Sequence, residues 1–436
     1  MKGNFAMKDS QGHALSGANS ASLSAYQAAL DQFRCFVGDP VASVDTALQA
    51  SPDMTMAHLL KAWLHLLGTE PAGPAVARQC CDGAARLPAN DREQRHLHAA
   101  RLLADGHWHE AGRALEDLSL LYPHDLLALQ AGHQIDFFTG DARMLRDRIL
   151  RAAPAWDGDM PGYHALLSMQ AFGLEETGNY LQAEASGRQS VALEPHDGWG
   201  WHAVAHVYEM TAQPHEGIAW LAPNAATWAE GSFFAVHNWW HLALFHLALD
   251  HTAEVLHLYD EAIGGPGSSV ILDLIDQSAL LWRLQLRGVD VGERWTALAD
   301  RWTAAAEPGN YAFNDLHAMM ALAASGRTQA QWSLLEAMQD AMGSRTDNAH
   351  FTADAGYAAT RAIQAFANGD HALCADLLRS IRSRAHHFGG SHAQRDLIDL
   401  TLMEAAHRAG NQPLAEALAH ERAHGRPPSA ALRAMA

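Results

Sequence analysis

Between short polar turns, apolar residues along this chain fall at i, i+3, i+4 and i+7, the spacing of one face of an α-helix. In YLQAEASGRQSVAL (180–193) the apolar stripe is interrupted by polar positions at helical spacing. The turns carry their own signature. Gly106, Gly140, Gly178, Gly326, Gly369 and Gly410 each separate two helical patterns, and Asp250 and Gly288 occupy equivalent places. From 250 to 288 to 326 the step is 38 residues each time, and from 106 to 140 to 178 it is 34 and then 38. Several turns read G-x₄-A, as at Gly106/Ala111, Gly178/Ala183 and Gly410/Ala415. Glycine accepts the left-handed conformation that ends a helix, and the small alanine lets the next helix approach closely. Pro195, Pro214, Pro223 and Pro308 punctuate helix ends. A period near 34 residues is that of a tetratricopeptide hairpin. The pattern predicts an all-α protein, a tetratricopeptide-like solenoid of about ten helical hairpins in a right-handed superhelix. Residues 1–20 are expected to form a flexible arm, 21–423 a single solenoid domain, and 424–436 a frayed tail.

Composition agrees with helix over sheet, since Ala and Leu are abundant while Val and Ile are sparse. The formal charge of −19 and the lack of a long basic run exclude nucleic acid as an expected partner. No run of about 18 apolar residues offers a membrane span. The polar N-terminus lacks the apolar core of a signal peptide. Cys35, Cys80, Cys81 and Cys374 form no spaced framework, which fits a reduced, cytoplasmic setting. Histidine is the outlier, with 28 copies.

Several segments resemble the tetratricopeptide repeat protein 38 family. They are HDLLALQAGHQIDFFTGD, YHALLSMQAFGLEETGNYLQAE, GWGWHAVAHVYEM, VHNWWHLALFHL, SSVILDLIDQSALLWRL, NDLHAMMAL and GGSHAQRDL. Their order and spacing span roughly residues 50–410. The resemblance implies an all-helical repeat fold and little about activity. The repeats depart from a standard tetratricopeptide consensus in their irregular lengths and in the His and Trp on their first helices.

The chemistry concentrates in two H-x₃-H pairs, His202/His206 and His237/His241, whose first members lie 35 residues apart. Residues four apart share one helix face, so consecutive hairpins would turn four imidazoles toward one space. A wider row holds the same repeat phase. His133 and Asp136 come first, then His164, His202, His206, Glu209, His237, His241, Asp273, Asp276, Asn314, Asp315 and His317. From His133 to His164, His202, His237 and Asp273 the steps are 31, 38, 35 and 36. The expected catalytic groups are His202, His206, His237, His241, Glu209 and Asp273. The expected ligand-lining groups are His133, Asp136, His164, Trp199, Trp240, Asp276 and His317.

Three chemistries remain open for this row. Imidazoles at i, i+4 chelate a divalent transition metal such as zinc from one helix face, and His202, His206, His237 and His241 are the candidate ligands. The H-E-x-x-H order of zinc proteases is absent. Without metal, crowded histidines split their pKa values, so one serves as base beside a carboxylate. Trp199, Trp201, Trp239 and Trp240 would then wall a small ligand, and hydrolysis of an amide or ester is the economical reaction. The alternatives are a protein-interaction scaffold, with self-association included, and a metal-binding protein without catalysis. The glycine-rich GGPGSSV (264–270) reads as a turn with Ser268 or Ser269 as helix cap, and GGSHAQRD (389–396) as a turn with Ser391 as cap.

Overall fold

The computed structural model describes residues 7–425, and these fold entirely into helices joined by turns, with no strand among them. None of the helices is long and apolar enough to cross a membrane. The chain divides into two compact units. One holds the chain up to Phe137, Asp141–Val204 and Ala226–Ala235; the other holds Phe138–Gly140, Ala205–Ala225 and the chain from Val236 onward.

Unit 1 is built from antiparallel helix pairs. Ser20–Cys35 packs on Pro40–Ala50, Thr55–Leu66 on Gly73–Ala84, Asp91–Ala104 on Trp108–Leu121, and Tyr163–Glu175 on Tyr180–Leu193. First and second helices differ in burial. Thr55–Leu66 buries Met56, Leu59, Leu60 and Trp63 on several sides, whereas Trp108–Leu121 buries one stripe, Ala111, Leu115 and Leu118. Each fully buried large side chain contributes about 1.5–3 kcal/mol, so the first helices carry most of the core energy. Starts are set by caps: Asn90 and Glu93 form a reciprocal capping box for Asp91–Ala104.

Residues 7–19, expected within a flexible arm, are packed instead. Lys8 and Ala14 form an isolated bridge, Leu15 is buried, and Ser16 N–H donates to Glu93 Oε1 at 2.8 Å. Short polar residues concealed this, because main-chain bonds hold the segment more than apolar burial does. The expected tail is described only as far as residue 425, where it continues the helix Gln412–Gly425; residues 426–436 lie outside the described residues.

Unit 2 repeats the hairpin plan. Ile271–Leu286 pairs with Arg294–Ala305, Ala312–Ala324 with Thr328–Ala341, Tyr357–Ala367 with His371–Ile381, and His392–Arg408 with Gln412–Gly425. Ile271–Leu286 is the central element, packing on Ala312–Ala324 and on His392–Arg408. Its Trp282 Nε1 donates to Thr401 Oγ1 at 2.9 Å, and Trp302 Nε1 donates to its Ser278 Oγ at 2.8 Å. The turn at Asp250, read as equivalent to the glycine turns, has φ +59°. A non-glycine residue in this left-handed region is uncommon, and Asp tolerates it better than most. Gly140 is required for space as well as for its φ of +69°, since a Cβ there would meet the His386 carbonyl oxygen at 1.8 Å.

Candidate metal centre

The helix Gly198–Met210 presents His206 one turn after His202, and the helix Ala235–Ala248 presents His237 and His241. Within unit 2 the last three converge. The His206 and His241 ring centroids lie 4.5 Å apart at 62°, and those of His237 and His241 lie 5.0 Å apart at 89°. His206, His237 and His241 each offer a ring nitrogen within 4.8 Å of the others. A tetrahedral zinc ion with bonds of about 2.0–2.1 Å holds its nitrogens roughly 3.4 Å apart, so small ring rotations close the set. His202 belongs to the face of His206 by the i, i+4 geometry of one unbroken helix.

The surroundings constrain the charge of His241 and the orientation of His237. His206 and His241 are fully buried. Burial above all, then the neighbouring His206 and His237 rings and the Arg283 charge, hold the pKa of His241 well below the histidine range. It is therefore neutral, the form a metal requires. His237 Nδ1 lies 2.8 Å from Asp276 Oδ2. A carboxylate there draws the proton onto Nδ1 and leaves Nε2 with its lone pair, the arrangement that orients ligating histidines. Trp240 fixes the ring from the other side, stacked on His237 with centroids 5.3 Å apart at 18°. The Arg283 guanidinium lies 5.4 Å from the Trp240 ring centroid, and its Nη2 donates to the Ala393 carbonyl at 2.7 Å.

The remaining expected residues take different places. Glu209 is not in the imidazole group; it is half-buried near the helix end, and its charge acts on Arg422. Asp273 sits in the first turn of Ile271–Leu286 and accepts from Ser268 Oγ at 2.5 Å, so it organises the turn. The helix itself starts at Ile271 after Val270, without the serine side-chain cap expected from GGPGSSV. Ser391 does cap its helix, reciprocally with Gln394. His317 is buried against Phe313, with Nδ1 2.8 Å from the Phe313 carbonyl, and burial lowers its pKa to about 4. Asp315 accepts from Gly309 N–H at 3.0 Å.

In unit 1 the expected lining groups serve local packing. Asp136 forms a two-point buried ion pair with Arg148, 2.7 and 2.8 Å, which satisfies both carboxylate oxygens. His133 packs edge-on to Phe172 and Trp199, and burial, then the Arg148 charge, lowers its pKa to about 3. His202 is caged by Trp199, Phe172 and Phe234 at ring-centroid distances of 4.7, 5.2 and 5.1 Å. Trp199 is thus a cage wall, stacked in turn on Phe36 at 5.4 Å.

His164 is a staple between hairpins. Its Nδ1 lies 2.8 Å from Asp197 Oδ2, while Asp197 Oδ1 accepts from the N–H groups of Trp199 and Gly200. His96 and Asp125 repeat the device: Nε2 to Oδ2 is 2.8 Å, and Oδ1 accepts from Ala128 N–H. In both, a buried aspartate caps one first helix and takes a histidine from the preceding one. Asp276 lies inside its helix and caps nothing. The His237–Asp276 pair thus differs from the other two in that its aspartate has no capping role.

Sequence reading missed Arg283, Arg148 and the buried acids Glu175 and Glu176. An arginine or paired acids within otherwise apolar first helices were the available signal. No protein-family model matches the chain.

Proposed function

We propose that this protein is a metal-dependent hydrolase of small molecules, built on tetratricopeptide-like hairpins of the repeat protein 38 type and working in a reducing, cytoplasmic setting. The convergence of His206, His237 and His241, with His237 held by Asp276, carries the reading. A catalytic zinc keeps about three protein ligands and one open position, and His206, His237 and His241 supply that number. Four buried free cysteines support the reducing compartment. Repetition of helix pairs within each unit supports the tetratricopeptide-like assignment.

The metal would supply an activated water and a polarised carbonyl. The protein's own work is to hold neutral imidazoles in a water-poor interior and to orient His237 through Asp276. Hydrolysis adds the water oxygen to the carbonyl carbon. The bond to the leaving nitrogen or oxygen breaks, and that atom takes a proton from the water. Neither Glu209 nor Asp273 has a part in this scheme.

Zinc titration of full-length, tag-free protein and of His241→Ala tests the reading. Wild type should take up one equivalent, and His241→Ala should lose at least about tenfold in affinity with its helical circular dichroism unchanged. Equal uptake by both would remove the site.

A further inference from the structure

Four polar side chains of unit 1 line one small cavity. They are Arg34 from Ser20–Cys35, His133 and Gln134 from Leu126–Phe138, and Trp199 from the start of Gly198–Met210. All four are more than nine-tenths buried, at 3%, 1%, 8% and 7% exposure. Arg34 Nε, both ring nitrogens of His133, Gln134 Nε2 and Trp199 Nε1 have no hydrogen-bond partner among the described residues. Buried polar atoms almost always have one, so their gathering around one space points to a ligand.

The helices explain the gathering. Gln130, His133 and Gln134 stand at i, i+3 and i+4, on one face of Leu126–Phe138. Gln130 lines the same cavity, and its Nε2 donates to the Phe33 carbonyl at 2.9 Å. That bond ties this face to the end of the helix that carries Arg34. Trp199 stands edge-on to His133, with centroids 6.0 Å apart, and stacks on Phe36.

The wall is rich in donors and carries a positive charge. The unpartnered nitrogens of Arg34, Gln134 and Trp199 only donate. Burial, then the Arg148 charge, lowers the pKa of His133 to about 3, so its neutral ring adds one donor and the only unpartnered acceptor of the four. Arg34 Nη1 donates to Asp31 at 2.9 Å, but the Asp31 side chain is 59% exposed and shares its charge with solvent. Arg34 Nη2 donates to the neutral Gln11 at 2.8 Å. The guanidinium is thus a buried cation with an incomplete counter-charge on its Nε side, a costly state unless paired. A single water accepts from only part of this donor set. An anion presents lone pairs on every side, brings no hydrogens and completes the counter-charge.

Size narrows the choice. The cavity measures about 10 Å³, the lower end of the space that holds one water-sized particle. A single-atom ion is of this scale, whereas sulfate and phosphate are too large. We propose that unit 1 binds a small monovalent anion of the halide class, chloride being the abundant one, in the cavity bounded by Arg34, His133, Gln134 and Trp199. The ion would join three helices and stabilise the fold by mass action.

The test uses crystals of full-length protein soaked in bromide, which anomalous scattering distinguishes from water. A bromide peak should stand in the cavity against Arg34 Nε, Gln134 Nε2 and Trp199 Nε1, and an excess of chloride should erase it. Trp199→Phe and Gln134→Met each remove a donor and keep an apolar side chain of similar size. In solution, the saturable part of the chlorine NMR line broadening should show each variant losing about tenfold in chloride affinity, the effect of one hydrogen bond to a charged group. Wild-type crystals with water alone in the cavity, or with bromide only elsewhere, overturn the proposal. So does chloride affinity within about twofold of wild type in both folded variants, since a bond to a charged group is worth more than that.

Discussion

Replacing Asp276 isolates what the carboxylate does for the imidazole group. Asp276 Oδ2 lies 2.8 Å from His237 Nδ1, and the residue is 2% exposed, so bulk water cannot take over its role. Asparagine keeps the shape and an acceptor oxygen but removes the charge. A charge-assisted hydrogen bond is roughly twice as strong as a neutral one, so Asp276→Asn should weaken the pull on the Nδ1 proton without freeing the ring. Asp276→Ala frees the ring altogether. Loss of such a supporting group costs about 10–100-fold in metal affinity. Asp276→Asn should fall near tenfold, or about 1.4 kcal/mol, and Asp276→Ala near a hundredfold, or about 2.7 kcal/mol. Competition against a fluorescent zinc chelator gives these affinities, and circular dichroism melts confirm the fold. If both variants bind zinc within twofold of wild type while remaining folded, His237 is not a ligand oriented by Asp276, and the proposed centre fails.

Other residues give independent outcomes. Asp197→Ala removes two cap bonds and the His164 staple; calorimetric melting should show a loss of about 3–5 kcal/mol with zinc affinity unchanged, and a loss below about 1 kcal/mol would deny the staple role. Arg148→Met should destabilise by about 3–5 kcal/mol because it leaves Asp136 buried and unpaired, while Arg148→Met with Asp136→Leu should recover most of that loss in urea unfolding. Asp315 provides a pH signature. Burial raises its pKa from the ordinary carboxylate range to about 7, against the lowering effect of the Gly309 N–H. The folded state then holds the proton more tightly than the unfolded chain, so the contribution is complete below about pH 4 and is lost as pH rises through about 7. A displacement of that size corresponds to about 4 kcal/mol. Asp315→Asn should flatten the decline in stability between pH 4 and pH 8, and an unchanged decline would show that Asp315 does not titrate this way.

Much of the secondary structure is legible in the sequence, because apolar spacing at the helical period and Gly-centred turns are local properties. Asp250 shows this well: its place among glycine turns correctly anticipates a left-handed residue. The H-x₃-H pairs are legible for the same reason, since a helix places residues four apart on one face. What lies between helices is less visible. His133, Asp136 and His164 share the phase of the histidine row. However, the neighbours that claim them, Phe172 and Trp199, Arg148, and Asp197, come from other helices and turns. Glu209 lies near a helix end, where its charge acts on Arg422. Asp273 belongs to the first turn of its helix, and Ser268 claims it. The supporting role of Asp276 depends on its lying within a helix and opposite His237, a relation 39 residues apart in the chain.

The most direct test of the central claim is the metal content of full-length protein purified without a histidine tag, measured by mass spectrometry after zinc supplementation and exhaustive dialysis. The account predicts one zinc per chain, removed by chelation and absent from the His206→Ala, His241→Ala double variant. Well-folded wild-type protein retaining less than about a tenth of an equivalent, against stoichiometric binding expected for about three histidine ligands, would contradict it.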